Sequence, residues 1–133
     1  MTATEKLLFS GKTHVSSGPT GAAKSSDGFL DLKLPKPHPA AEQLFGAAWS
    51  ACFMGAIELA ASQQKIKLSA PPETDAEINL YNADGGFFLK AHLKIHLPGL
   101  DREVAQGLIE AAHGICPYSK ATRGNIEVTL TLV

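Results

Sequence analysis

A chain of 133 residues with 12 basic and 13 acidic side chains has the size of one domain and no field of either sign. That balance excludes electrostatic steering onto nucleic acid or an acidic membrane. Its 44% apolar and 19% charged residues exclude a disordered chain.

The first residues carry no apolar stretch followed by a small-residue cleavage site, so no secretion signal is expected and the chain reads as cytoplasmic. Residues 7–15 are β-compatible, residues 16–28 are rich in Ser, Gly and Pro, and residues 29–34 alternate as a half-buried strand. Residues 36–41 read as a loop. The long segment that follows, about residues 41–64, is helical and apolar nearly all round. It carries many small residues, Gly46, Ala47, Ala48, Ser50, Ala51 and Gly55 among them. Its apolar run at residues 44–57 falls short of the ~20 residues needed to span a bilayer, so it reads as a buried helix. A chain this small has little material to cover such a helix, and a homodimer sharing the burial is the natural solution.

Residues 75–81 and 87–97 read as a hairpin around Asn82-Ala83-Asp84-Gly85-Gly86. A second helix starts near Asp101 and stops at Pro117, because the residue before a proline disfavours the α region. Residues 126–133 alternate strictly and form a strand. The order ββ-α-ββ-α-β gives a single α+β domain with mainly antiparallel pairing.

The two cysteines, Cys52 in the buried helix and Cys116 at the exit of the second, do not form a Cys-x-x-Cys pair, which excludes a thioredoxin-type site. Without suitably spaced histidines they make a poor zinc site, and no metal is expected. From position alone, two inert buried thiols remain a full alternative to a redox pair. A redox pair requires Cys52 to ionise, a cation or hydrogen-bond donors to hold that charge, and a second thiol to capture the sulfenic acid. His92 and His96 share a strand face but lie ~13 Å apart, too far for one metal ion.

The stretches EQLFGAAWSACF (residues 42–53) and CPYSKATRGNIEVTLTL (residues 116–132) resemble the organic hydroperoxide resistance branch of the OsmC/Ohr family, as do SSDGFLDLKL (25–34) and LPGLDRE (97–103). The resemblance implies an intertwined homodimer with sheets wrapped around central helices. It implies reduction of alkyl and fatty-acid hydroperoxides. Cys52 matches the family's peroxidatic cysteine and Cys116 its resolving cysteine. The reductant implied is an external dithiol, dihydrolipoamide on a lipoylated protein, with no bound cofactor. Glu42 matches a glutamate that orients an arginine beside the thiolate. Ten residues separate Glu42 from Cys52, ~15 Å along one helix, so Glu42 is expected to serve a site built across the dimer.

The chain departs from the family pattern where that arginine belongs. The loop reads SGPTGAAK (residues 17–24), with Pro19 at the arginine's position. Lys24 is the nearest replacement in the loop, a point charge instead of a planar fork. Arg123 reads as a structural turn residue. Trp49 and Phe53, one turn apart, are expected either to line an apolar peroxide pocket or to fill the core. Tyr118 and Ser119 shape the turn after Cys116. The alternative function is a peroxide sensor or binding protein on the same scaffold, weakened in turnover by the altered loop.

Overall fold

The computed structural model describes residues 4–133, so the reading of the first residues as free of a secretion signal begins outside the described part. The chain forms two compact units, residues 1–41 and 42–133.

The first unit is a three-stranded antiparallel meander: β1 (Thr13–Ser16), β2 (Ala22–Ser25) and β3 (Asp31–Lys33), in that order. The sequence led us to expect loop where β2 lies. Short strands between Gly and Ser residues carry too little periodicity to be seen, and the pairing of Ala22–Ser25 with both neighbours creates β2. The turn before it depends on Gly21, where a Cβ would stand 2.5 Å from the Leu34 carbonyl oxygen. Residues 7–11, expected as strand, are not in a strand, and Leu7, Leu8 and Phe9 are exposed. Phe29 is 92% exposed, and the buried apolar side chains of this unit are Ala23 and Leu34.

Helix α1 (Pro37–Gln63) starts in this unit and runs on into the second. It begins four residues earlier than the two prolines suggested, because a first-turn proline forfeits only an N–H that lacks a helical partner anyway. Its C-terminus closes with the Ile66 N–H donating to the Ala61 carbonyl at 2.8 Å, while Lys65 takes φ of 57°. That geometry usually recruits glycine.

The second unit packs α1 against a mixed sheet and two further helices. Strands β4 (Glu73–Ala83) and β5 (Gly86–His96) form the expected hairpin, tightened to a two-residue turn in which Gly85 takes φ of 109°. Gly46 lets α1 lie close on this sheet: a Cβ there would meet the Ala76 Cβ at 3.2 Å. Along β5, Ala91, Leu93 and Ile95 face inward while His92, Lys94 and His96 face the other way. His92 bonds Thr131 and His96 bonds Asp75, each with its own partner.

Helix α2 (Arg102–Ile115) presents Ala105, Leu108, Ile109 and Ala112 to the core. A short helix α3 (Pro117–Thr122) follows, and β6 (Glu127–Leu132) joins β5 in parallel. The parallel pairing departs from an all-antiparallel arrangement for a topological reason. Two helices intervene between β5 and β6, and such a crossover returns the chain to the same end of its neighbour. The result is an α+β fold with antiparallel and mixed sheets and a central helix.

Trp49, Phe53 and Ile57, at successive turns of α1, are fully buried among Leu93, Ile95, Leu108 and Ile109. Each such side chain contributes ~1.5–3 kcal/mol through removal from water. By length and mean hydropathy, 1.5 over Ala40–Gln63, this helix is capable of crossing a bilayer. Here those side chains build a protein core instead. Its opposite side stays open: Ala47, Ala48, Ala51, Gly55 and Leu59 are exposed, so the burial expected nearly all round is not completed within one chain.

Candidate active site

Pro117 has two effects at once. It holds Cys116 extended, at φ −62° and ψ 119°, which ends α2, and it then serves as the first residue of α3. Sequence alone shows only the first effect, because a proline after an apolar stripe reads as a helix stop and six residues carry too little periodicity to mark a helix. Cys116 therefore stands at a bend, with its N–H bonded to the Ala112 carbonyl and its carbonyl accepting from the Lys120 N–H at 3.0 Å. Arg123 closes this segment by donating from Nη2 to the His113 carbonyl, which satisfies a carbonyl at the end of α2.

The bend aims Cys116 at α1. The Cys116 and Cys52 sulfurs lie 3.1 Å apart, both cysteines as free thiols. Cys116 is fully buried and Cys52 is half-buried. A disulfide needs ~2.05 Å between sulfurs, so closure asks for about 1 Å of approach and no large rearrangement.

Burial pushes the Cys52 thiol above its ordinary pKa, and the adjoining Cys116 thiol pushes it further. The Tyr118 backbone N–H, aimed at the Cys52 sulfur, pulls the other way. The net direction is upward. His113 is held below its ordinary pKa, by burial first and by the Arg123 charge second, and its ring lies 6.5 Å from that of Phe53.

Trp49 stands one turn before Cys52, and its indole N–H donates to the Ser119 hydroxyl at 3.3 Å, both side chains fully buried. Ser119 is likewise one turn beyond Cys116. The sequence analysis gave Ser119 only a turn-shaping place. Its signal was the matched spacing, Trp49 three residues before one cysteine and Ser119 three residues after the other.

The other expected site residues lie elsewhere. Glu42 is half-buried and engaged, in the first part of α1. Because α1 is continuous from there to Cys52, the two stand ~15 Å apart along the helix and do not meet within it. Lys24 belongs to the first unit. Its Nζ lies 4.0 Å from the Asp31 carboxylate, and with Pro19, Gly21 and Lys33 it lines an open cavity of about 470 Å³.

The class of protein is set by an α+β fold in which two free thiols meet where α1 faces the bend between α2 and α3. The OsmC-like protein family matches residues 34–131. The chain is 41% identical to the organic hydroperoxide resistance protein of Xanthomonas axonopodis pv. citri, over 99% of each chain. It is also 41% identical to the organic hydroperoxide resistance protein OhrB of Bacillus subtilis, over 94% of this chain and 98% of that one. The crystal structure of OhrB superposes with a TM-score of 0.83, at 42% identity over 96% of this chain and 100% of that one. That of an organic hydroperoxide resistance protein from Elizabethkingia anophelis gives 0.86, at 38% identity over 96% and 98%. The chain belongs to the OsmC/Ohr family, in its organic hydroperoxide resistance branch.

Proposed function

We propose that this protein is a thiol peroxidase that reduces organic hydroperoxides to alcohols. The observation that carries the reading is the 3.1 Å contact between the two sulfurs. Relatives named for organic hydroperoxide resistance, similar over nearly the whole chain, support the substrate class.

The Cys52 thiolate attacks the distal oxygen of the peroxide. The O–O bond breaks, the alcohol leaves with a proton, and Cys52 becomes a sulfenic acid. Cys116 then attacks that sulfur and expels water, forming the Cys52–Cys116 disulfide. An external dithiol of the dihydrolipoamide type, carried on a lipoylated protein, gives two electrons and two protons to reset the pair. The chain needs no bound cofactor or metal for this cycle. Of the two places expected for Trp49 and Phe53 they take the core, fully buried, and the preference for hydroperoxides with an alkyl body is supported by the relatives named for organic hydroperoxide resistance.

The working form is a cytoplasmic homodimer. Support comes from the open small-residue side of α1 and, separately in the first unit, from the exposed Leu7, Leu8, Phe9 and Phe29, since large apolar side chains left in water gain by being covered. In such a dimer Lys24 supplies the positive charge that the Cys52 site lacks, standing in for the guanidinium absent at Pro19, and Glu42 orients that cation.

Mass spectrometry after one equivalent of cumene hydroperoxide tests the cycle: the chain loses about two hydrogens in mass as the bridge forms. A coupled assay with dihydrolipoamide should then show repeated turnover. Absence of the bridge in intact protein overturns the reading. The raised Cys52 pKa and the substitution at Pro19 favour a second reading, a sensor that forms the bridge once and is slowly reset. A bridge without turnover in the coupled assay selects that one.

A further inference from the structure

The two contacts between α1 and the start of α3 are built as matched rungs. On α1, Trp49 and Cys52 are three residues apart and share a face; Cys116, capping α3, and Ser119, within it, have the same spacing. One rung is the sulfur pair at 3.1 Å and the other is the indole–hydroxyl hydrogen bond at 3.3 Å. Trp49, Cys116 and Ser119 are all fully buried, while Cys52 alone among the four keeps some exposure.

The second rung has a physical cost if it opens. An indole N–H with no other partner in an apolar core loses its solvation without compensation, so the bond holds more firmly than a surface hydrogen bond. The element it holds is short, and its other ties are the Arg123 bond to the His113 carbonyl and backbone bonds at its two ends. Helix α3 has six residues, and Tyr118 on its outer side is 45% exposed.

We propose that the Trp49–Ser119 hydrogen bond is a positioning clamp that sets the proximity of Cys116 to Cys52, and so the ease of disulfide closure. The inference deepens the peroxidase reading and rests on it for its biological meaning. Trp49 and Ser119 act through the sulfurs and exchange no proton or electron themselves. The clamp raises the effective concentration of one thiol toward the other. Without it the start of α3 samples positions in which Cys116 is out of reach, and the Cys52 sulfenic acid survives longer.

The test is a double-mutant cycle on the full-length protein with Trp49→Phe, Ser119→Ala and the combined variant. Trp49→Phe keeps an aromatic ring and removes the N–H. The first readout is the equilibrium between the Cys52–Cys116 bridge and a glutathione redox buffer, which needs no peroxide. Each single variant should weaken the bridge about five- to tenfold, the scale of one buried hydrogen bond. The combined variant should weaken it no more than either single change, because the same bond is lost only once. The second readout is the ratio of dimedone-trapped sulfenic acid to bridge after one equivalent of cumene hydroperoxide, which should rise by a similar factor in each.

Unchanged equilibria in folded single variants overturn the clamp. So do effects that multiply in the combined variant, the signature of two independent packing defects. If wild-type protein bridges in glutathione but not with peroxide, the peroxidase reading fails while the clamp is still judged by the first readout. Thermal melts of every variant confirm that the comparison is made between folded proteins.

Discussion

The second unit and the first each carry a three-stranded sheet but differ in what the sheet can bury. The second closes a core around Trp49, Phe53, Leu93 and Leu108, and its two thiols are fixed by helices that this core anchors. The first has three strands of three or four residues, buries Ala23 and Leu34, and leaves Leu8, Phe9, Val15 and Phe29 in the open. A three-stranded sheet needs an apolar face to stand alone, and this one has almost none. The second unit thus holds the reacting atoms in contact but raises the Cys52 pKa. The first offers an exposed charge, Lys24, and a surface that gains by covering another. In the dimer we propose, sulfur proximity and sulfur ionisation would have separate origins, one internal and one dependent on assembly.

The largest effect expected breaks the comparison at the second unit. Cys52→Ser should abolish consumption of cumene hydroperoxide. Cys116→Ser should permit one oxidation per chain and then stall; sustained turnover there would remove Cys116 from the cycle.

Next comes the first unit's open surface. Phe9→Asp combined with Leu8→Asp should halve the mass seen by sedimentation velocity and lower thermal stability by several degrees. A mass already that of one chain in the unaltered protein would end the dimer proposal.

The charge division is sharpened by pH. A thiol whose pKa is raised is more protonated than an ordinary one at any given pH, so Cys52 reactivity climbs as pH rises. Rates of peroxide consumption should increase through the alkaline range. Lys24→Gln should reduce the rate at pH 7 by roughly two- to tenfold and displace the rising limb to higher pH. A Lys24→Gln profile superimposable on the unaltered one would show that another group supplies the charge.

The smallest effect concerns the frame. Lys65 occupies a left-handed position at the end of α1 that costs a side-chain-bearing residue ~1 kcal/mol. Lys65→Gly should therefore stabilise the protein by up to about 1 kcal/mol in urea unfolding, with no change in bridge formation; a loss of stability would contradict the capping geometry.

Much of this was legible from residue order. The alternation of residues 87–97 and 126–133 marked β5 and β6, the apolar stripe from Val104 to Ile115 marked α2, and the small-residue run around Gly46 marked a helix that approaches its neighbours closely. Motif resemblance singled out Cys52 and Cys116 from the start. Less visible were β2, too short for a period, and α3, hidden because Pro117 reads as a stop when it is also a start.

Local chemistry, then, determined where most elements lie and which faces are apolar, because those depend on neighbours within a few residues, while the resemblance of their motifs to a known family singled out the two cysteines. Tertiary structure alone decided that β6 runs parallel to β5, that sulfurs 64 positions apart lie 3.1 Å from each other, and that an indole ties down the helix carrying one of them. Those outcomes depend on how helices and sheet close over a shared core, and no short-range periodicity encodes the distance at which two distant turns come to rest.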